Sequence, residues 1–227
     1  RRGILNDTKA DLLLFGNAER SILTLLERMK KSEKLDLSSI DGVSFRVKKS
    51  EIGKIRMLPS YEECIADKQK FNLLTRTFYL LPDNSFIEGC GSGFIQHNRP
   101  CHTLTEKEID YIYDAPFTRE LHPSSKNLEL NKRMVEHLRV SIAIGRGCWG
   151  SCTFCIIPLV QGKEVANRSR QSIVHEIESL YMEGIKKIND LTLPTLNMYG
   201  SRCALYKYES QIYSPIVEEN IIIYDKK

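Results

Sequence analysis

The chain has 227 residues, 41% hydrophobic and 27% charged, with 33 basic against 29 acidic side chains. This is the composition of a globular protein with material for one large or two small domains, and a net charge of +4 is too weak an excess to argue for nucleic acid. No apolar stretch approaches the ~20 residues needed to span a bilayer, no signal-peptide pattern opens the chain, and seven cysteines without a secretory signal fit a reducing cytoplasm and a metal or redox role.

Leu12 to Phe15 is a short apolar run that reads as a buried parallel strand. Asn17 is placed to cap a helix whose face is Ile22, Leu23, Leu25, Leu26 and Met29, running to about Lys31. Asp41-Gly42 marks a turn before a strand at Val43 to Val47. Strand, turn, helix and strand predict the C-terminal part of an α/β, Rossmann-like domain over residues 1–58, without a Gly-x-Gly-x-x-Gly phosphate loop.

Residues 59–136 read as a connector of helices and a hairpin. Ser60 and Glu63 have capping-box spacing, predicting a helix from Tyr61 to the late seventies. Phe86-Ile87-Glu88 and Phe94-Ile95-Gln96 flank a glycine-rich turn, as in a hairpin. Cys90, His97, Cys101 and His102 lie close in sequence, but their spacing matches no standard metal pattern. Thr105 and Glu108 form a second capping box, with Leu104 and Ile109 as a hydrophobic staple, and that helix ends before Asp114.

From His137 to Ile144, Leu138, Val140, Ile142 and Ile144 alternate as in a strand, and Gly145 ends it. Ser169 or Ser172 can cap the next helix, whose buried face is Ile173, Ile177, Leu180 and Tyr181 and whose stop is Gly184. Lys187 to Leu191 reads as the following strand. Residues 137–203 then form the start of an α/β barrel, and 204–227 a divergent tail that marks the chain as a fragment or truncated product.

Cys148, Cys152 and Cys155 stand between the two strands of that segment, within Arg146-Gly147-Cys148-Trp149-Gly150-Ser151-Cys152-Thr153-Phe154-Cys155. Three thiols cannot all pair as disulfides. Thiolates are soft ligands for iron–sulfur clusters and for zinc. Three of them on a four-iron cluster leave one iron open to a small molecule. Structural zinc takes four protein ligands, so a zinc site needs Cys203 or His175 as its fourth.

The Cys-x3-Cys-x2-Cys spacing, with an aromatic residue before the third cysteine, resembles the signature of the radical S-adenosylmethionine (SAM) superfamily. Gln161-Gly162-Lys163, Arg168-Ser169-Arg170-Gln171-Ser172-Ile173, Leu58-Pro59-Ser60-Tyr61-Glu62, Asp114 to Pro123 and Pro194 to Gly200 resemble words of the YgiQ-type radical SAM proteins, from about Asp11 to Cys203. The resemblance implies a partial (β/α) barrel, a 4Fe-4S cluster on Cys148, Cys152 and Cys155, SAM on the open iron, and an electron donor such as flavodoxin or ferredoxin. It further implies that Phe154 lies along the adenine and that Gly147 and Gly150 let the loop wrap the cluster closely. Thr192 and Leu193 stand where the family presents glycines near the amino group of SAM, and their side chains are expected to crowd the cofactor or shift the loop. The substrate is not implied, and a noncatalytic metal-bound module or truncated remnant is the alternative. Arg119 and His122 read either as substrate-facing or as bonded to the connector. Arg168 holds a carboxylate or opens a helix, Trp149 shields the cluster or packs beneath the loop, and His175 faces solvent.

Overall fold

A computed structural model describes residues 3–31, 35–81, 83–91, 93–125, 135–150, 152 and 154–201. Its described residues fall into two compact units, one ending at His102 and one beginning at Thr103. Cys203 and the tail from residue 204 lie outside the described residues.

The first unit runs through helix α1 (Ile4–Thr8), strand β1 (Leu12–Leu14), helix α2 (Glu19–Lys30), strands β2 (Val43–Val47) and β3 (Arg56–Leu58), helices α3 (Tyr61–Ala66) and α4 (Lys68–Leu80), and strands β4 (Phe86–Cys90) and β5 (Gly93–His97). The strands make one sheet in the order β1-β2-β5-β4-β3. β3 and β4 are parallel and the other pairs antiparallel. The hairpin and the strand at Val43–Val47 therefore stand where the sequence puts them. The sheet takes three strands from before residue 59 and two from after it.

β1 corrects the expectation of a buried parallel strand. It is a half-buried edge, antiparallel to β2, with Leu12 opposite Phe45 and Leu14 opposite Val43. The reason is the length of chain between α2 and β2. Residues 31–42 can span roughly 40 Å, about twice the ~18 Å of a helix the length of α2. β2 thus begins beside the place where β1 ends, and Phe15 N donates to Gly42 O at 2.9 Å. The segment is α/β but lacks the parallel crossover of a Rossmann-like unit.

α2 differs in detail as well. Its N-cap is Ala18, with no side-chain cap, rather than Asn17. Leu25 packs into a core with Ile40, Val43 and Phe45, while Ile22, Leu23, Leu26 and Met29 are exposed. Polar ties choose the inward stripe: Ser21 Oγ donates to Asp41 O at 2.7 Å and Arg28 Nη1 to Asp36 O at 3.0 Å. Ser21, Leu25 and Arg28 follow one another at helical spacing on that side. The single helix expected after Ser60 is broken at Asp67, whose extended backbone ends α3 and whose carboxylate accepts from Gln69 N at 2.8 Å to start α4.

The second unit contains helix α5 (Glu106–Tyr113), a helical turn at 135–138, strands β6 (Ser141–Ala143) and β7 (Gly145–Arg146), helix α6 (Ile157–Gln161), strand β8 (Ala166–Asn167), helix α7 (Arg170–Met182) and strand β9 (Asp190–Thr192). β6 and β9 are parallel neighbours with Ile142 opposite Leu191, and α7 lies between them in sequence. β7 and β8 pair antiparallel. The first strand is shorter than its alternation suggests, because Arg139 N is held by Val135 O in the preceding turn and Leu138 is exposed. The second strand begins at Asp190, not Lys187. Ile142, Ile144, Ile173 and Leu180 form the core, whereas Tyr181 faces outward. Of the two candidate caps Ser169 serves, accepting from Ser172 N at 3.0 Å. Among the described residues no helix is long and apolar enough to cross a membrane.

Candidate metal centre

Gly145 turns the chain out of β6 into the two-residue strand β7, and the cysteine loop follows at once. Gly147 has φ +96°, and a Cβ there would sit 2.0 Å from Glu164 O, so the two ends of the loop touch backbone to backbone at a point only glycine allows. Gly147 N donates to Gln161 Oε1 at 3.1 Å and Cys148 N to Gly162 O at 3.1 Å. Cys148 is buried against Val165 and Met198, with Trp149, Ile157 and Leu193 around them. Trp149 thus packs beneath the loop, and its Nε1 donates to Ser201 Oγ at 3.2 Å.

The thiols are free, and two of them surround Gly150: Cys148 Sγ lies 3.3 Å and Cys152 Sγ 3.9 Å from where a Cβ of that residue would be. Gly150 N donates to Cys148 Sγ at 3.4 Å. Cys155 is tied to the same turn by its backbone, N to Cys152 O at 3.0 Å. Cys152 is exposed and Cys155 half-buried. Among the described residues no three His, Cys, Asp or Glu side chains are gathered tightly enough to hold a metal as they stand. The donor set nevertheless fits a soft metal or iron–sulfur group: three free thiols on one short loop, two around a residue without a side chain.

The other expected site residues are placed as follows. Phe154 is 90% exposed at the tip of the loop. Thr192, at the end of β9, is exposed, and its Oγ1 donates to Ile142 O at 3.3 Å. Leu193 turns inward, packing between the Ile142 core and Cys148, with Cδ1 3.0 Å from where a Cβ on Gly145 would be. His175 is exposed beside Asp114 at 3.5 Å. Cys90, His97, Cys101 and His102 do not converge. Cys90 accepts from Asn6 Nδ2, His97 bridges Ser44 and Glu88 at 2.9 and 3.2 Å, Cys101 contacts Ser21 Oγ at 3.0 Å, and His102 O accepts from Arg20. Burial pushes the Cys64 thiol up, as suits a packing residue.

Behind the loop lies a charged network whose full extent the sequence does not reveal. Arg168 is 1% exposed. It donates to Ala143 O at 2.7 Å, to Ser172 Oγ and O, and to Glu176, and its guanidinium lies 4.6 Å from the centroid of Tyr113. Glu176 also accepts from Arg119, whose Nη1 donates to Arg139 O at 3.0 Å and Ser141 O at 3.2 Å. The carbonyls of residues 139, 141 and 143 alternate with those facing β9, so two arginines occupy the outer edge of β6. Arg168 therefore holds a carboxylate of its own chain, and Arg119 bonds strand backbone. His122 is engaged within its own turn by Ser124 Oγ at 2.8 Å. Glu176 and Tyr113 have no signature in sequence beyond their helical positions.

Residues 1–141 match the family model for the radical SAM N-terminal region. Among curated proteins the chain is 36% identical over 211 residues to a UPF0313 protein of Fusobacterium nucleatum and 35% identical over 213 residues to one of Methanocaldococcus jannaschii. Each alignment covers 89% of this chain but only 36% and 34% of those relatives, so the chain spans about a third of their length.

Proposed function

The chain belongs to the radical SAM N-terminal family, among the UPF0313, YgiQ-type proteins, and from that premise we propose that its second unit binds a 4Fe-4S cluster and SAM in a radical-generating enzyme. The observation that carries the reading is the placement of Cys148 and Cys152 around Gly150 on a loop leaving the C-terminal end of β6, the edge at which α/β barrels set their chemistry. Cys148, Cys152 and Cys155 hold the cluster. When bound, cluster and SAM supply one-electron cleavage of the sulfonium and a 5′-deoxyadenosyl radical that takes hydrogen from a substrate.

The chain's own residues position and shield. Gly147 lets the loop close on itself. Phe154 offers an exposed aromatic face to the adenine. Leu193, packed against Gly145 and Cys148, braces the loop from below instead of crowding the cofactor, and Thr192 presents the edge of β9 to the cofactor's amino group. Residues 137–203 correspond to the start of the barrel; in the relatives, which are about three times as long, further barrel would supply substrate contacts and the closure that excludes water. The electron comes from a flavodoxin or ferredoxin in the cytoplasm.

Anaerobic reconstitution of the chain tests the reading. About four irons and four sulfides per chain are expected, abolished by alanine at Cys148, Cys152 and Cys155 and unaffected by alanine at Cys64, Cys90 or Cys101. Stoichiometric zinc with little iron would replace this reading with that of a noncatalytic metal-bound module.

A further inference from the structure

We infer that Tyr113, supported by Glu176, is a positioning residue for the cysteine loop, a role that rests on the cluster reading above. β7 and β8 carry the two ends of the loop, yet each is only two residues long. A ladder of that size is too short to be stable alone. Side chains supply the rest. Arg146, two residues before Cys148, donates from Nε to Tyr113 Oη at 3.2 Å, with its guanidinium carbon 5.2 Å from the ring centroid. Arg168, just past the other end of the loop, lies over the same ring at 4.6 Å. One aromatic ring on α5 thus holds the cations on both sides of the loop.

Two guanidinium groups on one ring repel each other, so the arrangement needs a counter-charge. Glu176 provides it, pairing with Arg168 from α7 while its second oxygen takes Arg119. Arg168 also fixes β6, through its backbone N to Ile144 O at 3.0 Å and its side chain to Ala143 O. The path from Glu176 to the ligand is continuous: Glu176, Arg168, Tyr113, Arg146, then Gly147 and Cys148. Glu176, Arg168, Tyr113 and Arg146 reach the loop through its backbone on this path, not through a thiol. They act by deciding where the loop starts and returns.

The test uses the whole chain in its metal-free form. The rate at which iodoacetamide alkylates Cys148 is followed by mass spectrometry, beside a thermal melt. Tyr113→Phe keeps the ring under Arg168 and removes only the hydroxyl that holds Arg146. Loss of one hydrogen bond to a charged group is expected to speed alkylation of Cys148 roughly ten-fold, with little change in melting temperature. Glu176→Gln should speed it as well, with a lower melting temperature. A wild-type alkylation rate in Tyr113→Phe, with a lowered melting temperature in Tyr113→Leu as the only effect of altering the ring, would show Tyr113 to be packing alone and overturn the proposal. The same variants are then reconstituted. Tyr113→Phe should take up iron like wild type but lose it to a chelator several-fold faster; an unchanged loss rate counts against positioning. If wild type takes up no iron, the cluster reading fails, and the alkylation rates still decide what Tyr113 does.

Discussion

Among the described residues, the fully buried polar side chains of the first unit are Ser21, Ser44, Gln96 and Asn98, all uncharged, and that of the second is Arg168, a full positive charge. The neutral groups are met by a few neutral partners each. Asn98 Nδ2 donates to Leu37 O and Ile40 O, both at 2.7 Å, and its Oδ1 accepts from Gln96 at 2.8 Å. Arg168 needs a carboxylate, a carbonyl, a hydroxyl and a ring face, because an unpaired buried charge costs far more than an unpaired amide. The contrast follows from the backbone. Five strands in the first unit satisfy one another, whereas among the described residues β6 has a strand partner on one side only and meets guanidinium nitrogens on the other. Where a sheet is wide it supplies its own polar partners; where it is two strands wide, side chains must.

The contrast is most easily broken at Glu176. Glu176→Ala leaves two arginines without their shared counter-ion and should cost about 3–5 kcal/mol, read as a lower urea midpoint for the second unit. In the first unit the comparable loss is apolar. Ile87 is fully buried in the sheet, and Ile87→Ala should cost about 2–5 kcal/mol through lost burial and a cavity. A smaller effect at Glu176 than at Ile87 would mean that buried charge does not organise the second unit. The finest test is at the surface of the first. Ser60→Ala removes half of a capping box in which Ser60 Oγ accepts from Glu63 N at 3.2 Å and Glu63 accepts from Ser60 N at 2.8 Å, for about 1 kcal/mol. The Ser60 backbone N–H, then its hydroxyl, holds the Glu63 carboxyl below the usual carboxylate range. With its folded value depressed, that group stabilises the fold at neutral pH, and the contribution is lost as pH falls through the lowered value. Far-UV dichroism against pH should therefore show a low-pH loss of helix that Glu63→Gln flattens.

Both capping boxes, the hairpin and the cysteine loop were legible because each is a local pattern: Ser60 with Glu63, Thr105 with Glu108, Phe86 to Cys90 facing Gly93 to His97. Strand direction was not. Leu12 to Leu14 is apolar in either orientation, and only the length of chain before Val43 allows the antiparallel return. The face of α2 was misread for a related reason. Its apolar residues are more numerous than the core can accept, and the choice among them falls to Ser21 and Arg28, whose partners are distant carbonyls. At the candidate site the three cysteines were visible and the network behind them was not, since Tyr113 and Glu176 meet Arg168, and Arg119 meets Glu176, from separate stretches of sequence. Which way Leu193 turns was equally hidden, since its side chain packs toward Gly145 and Cys148, which are far from it in sequence.

The occupied outer edge of β6 also limits how the small sheet can grow. A strand can be added only where carbonyls and amides are free to pair, and the carbonyls of Arg139, Ser141 and Ala143 are already engaged by guanidinium groups. A further strand would find no free carbonyl at these three positions. Among the described residues this edge of β6 is therefore closed to edge-to-edge docking by a neighbouring molecule as well.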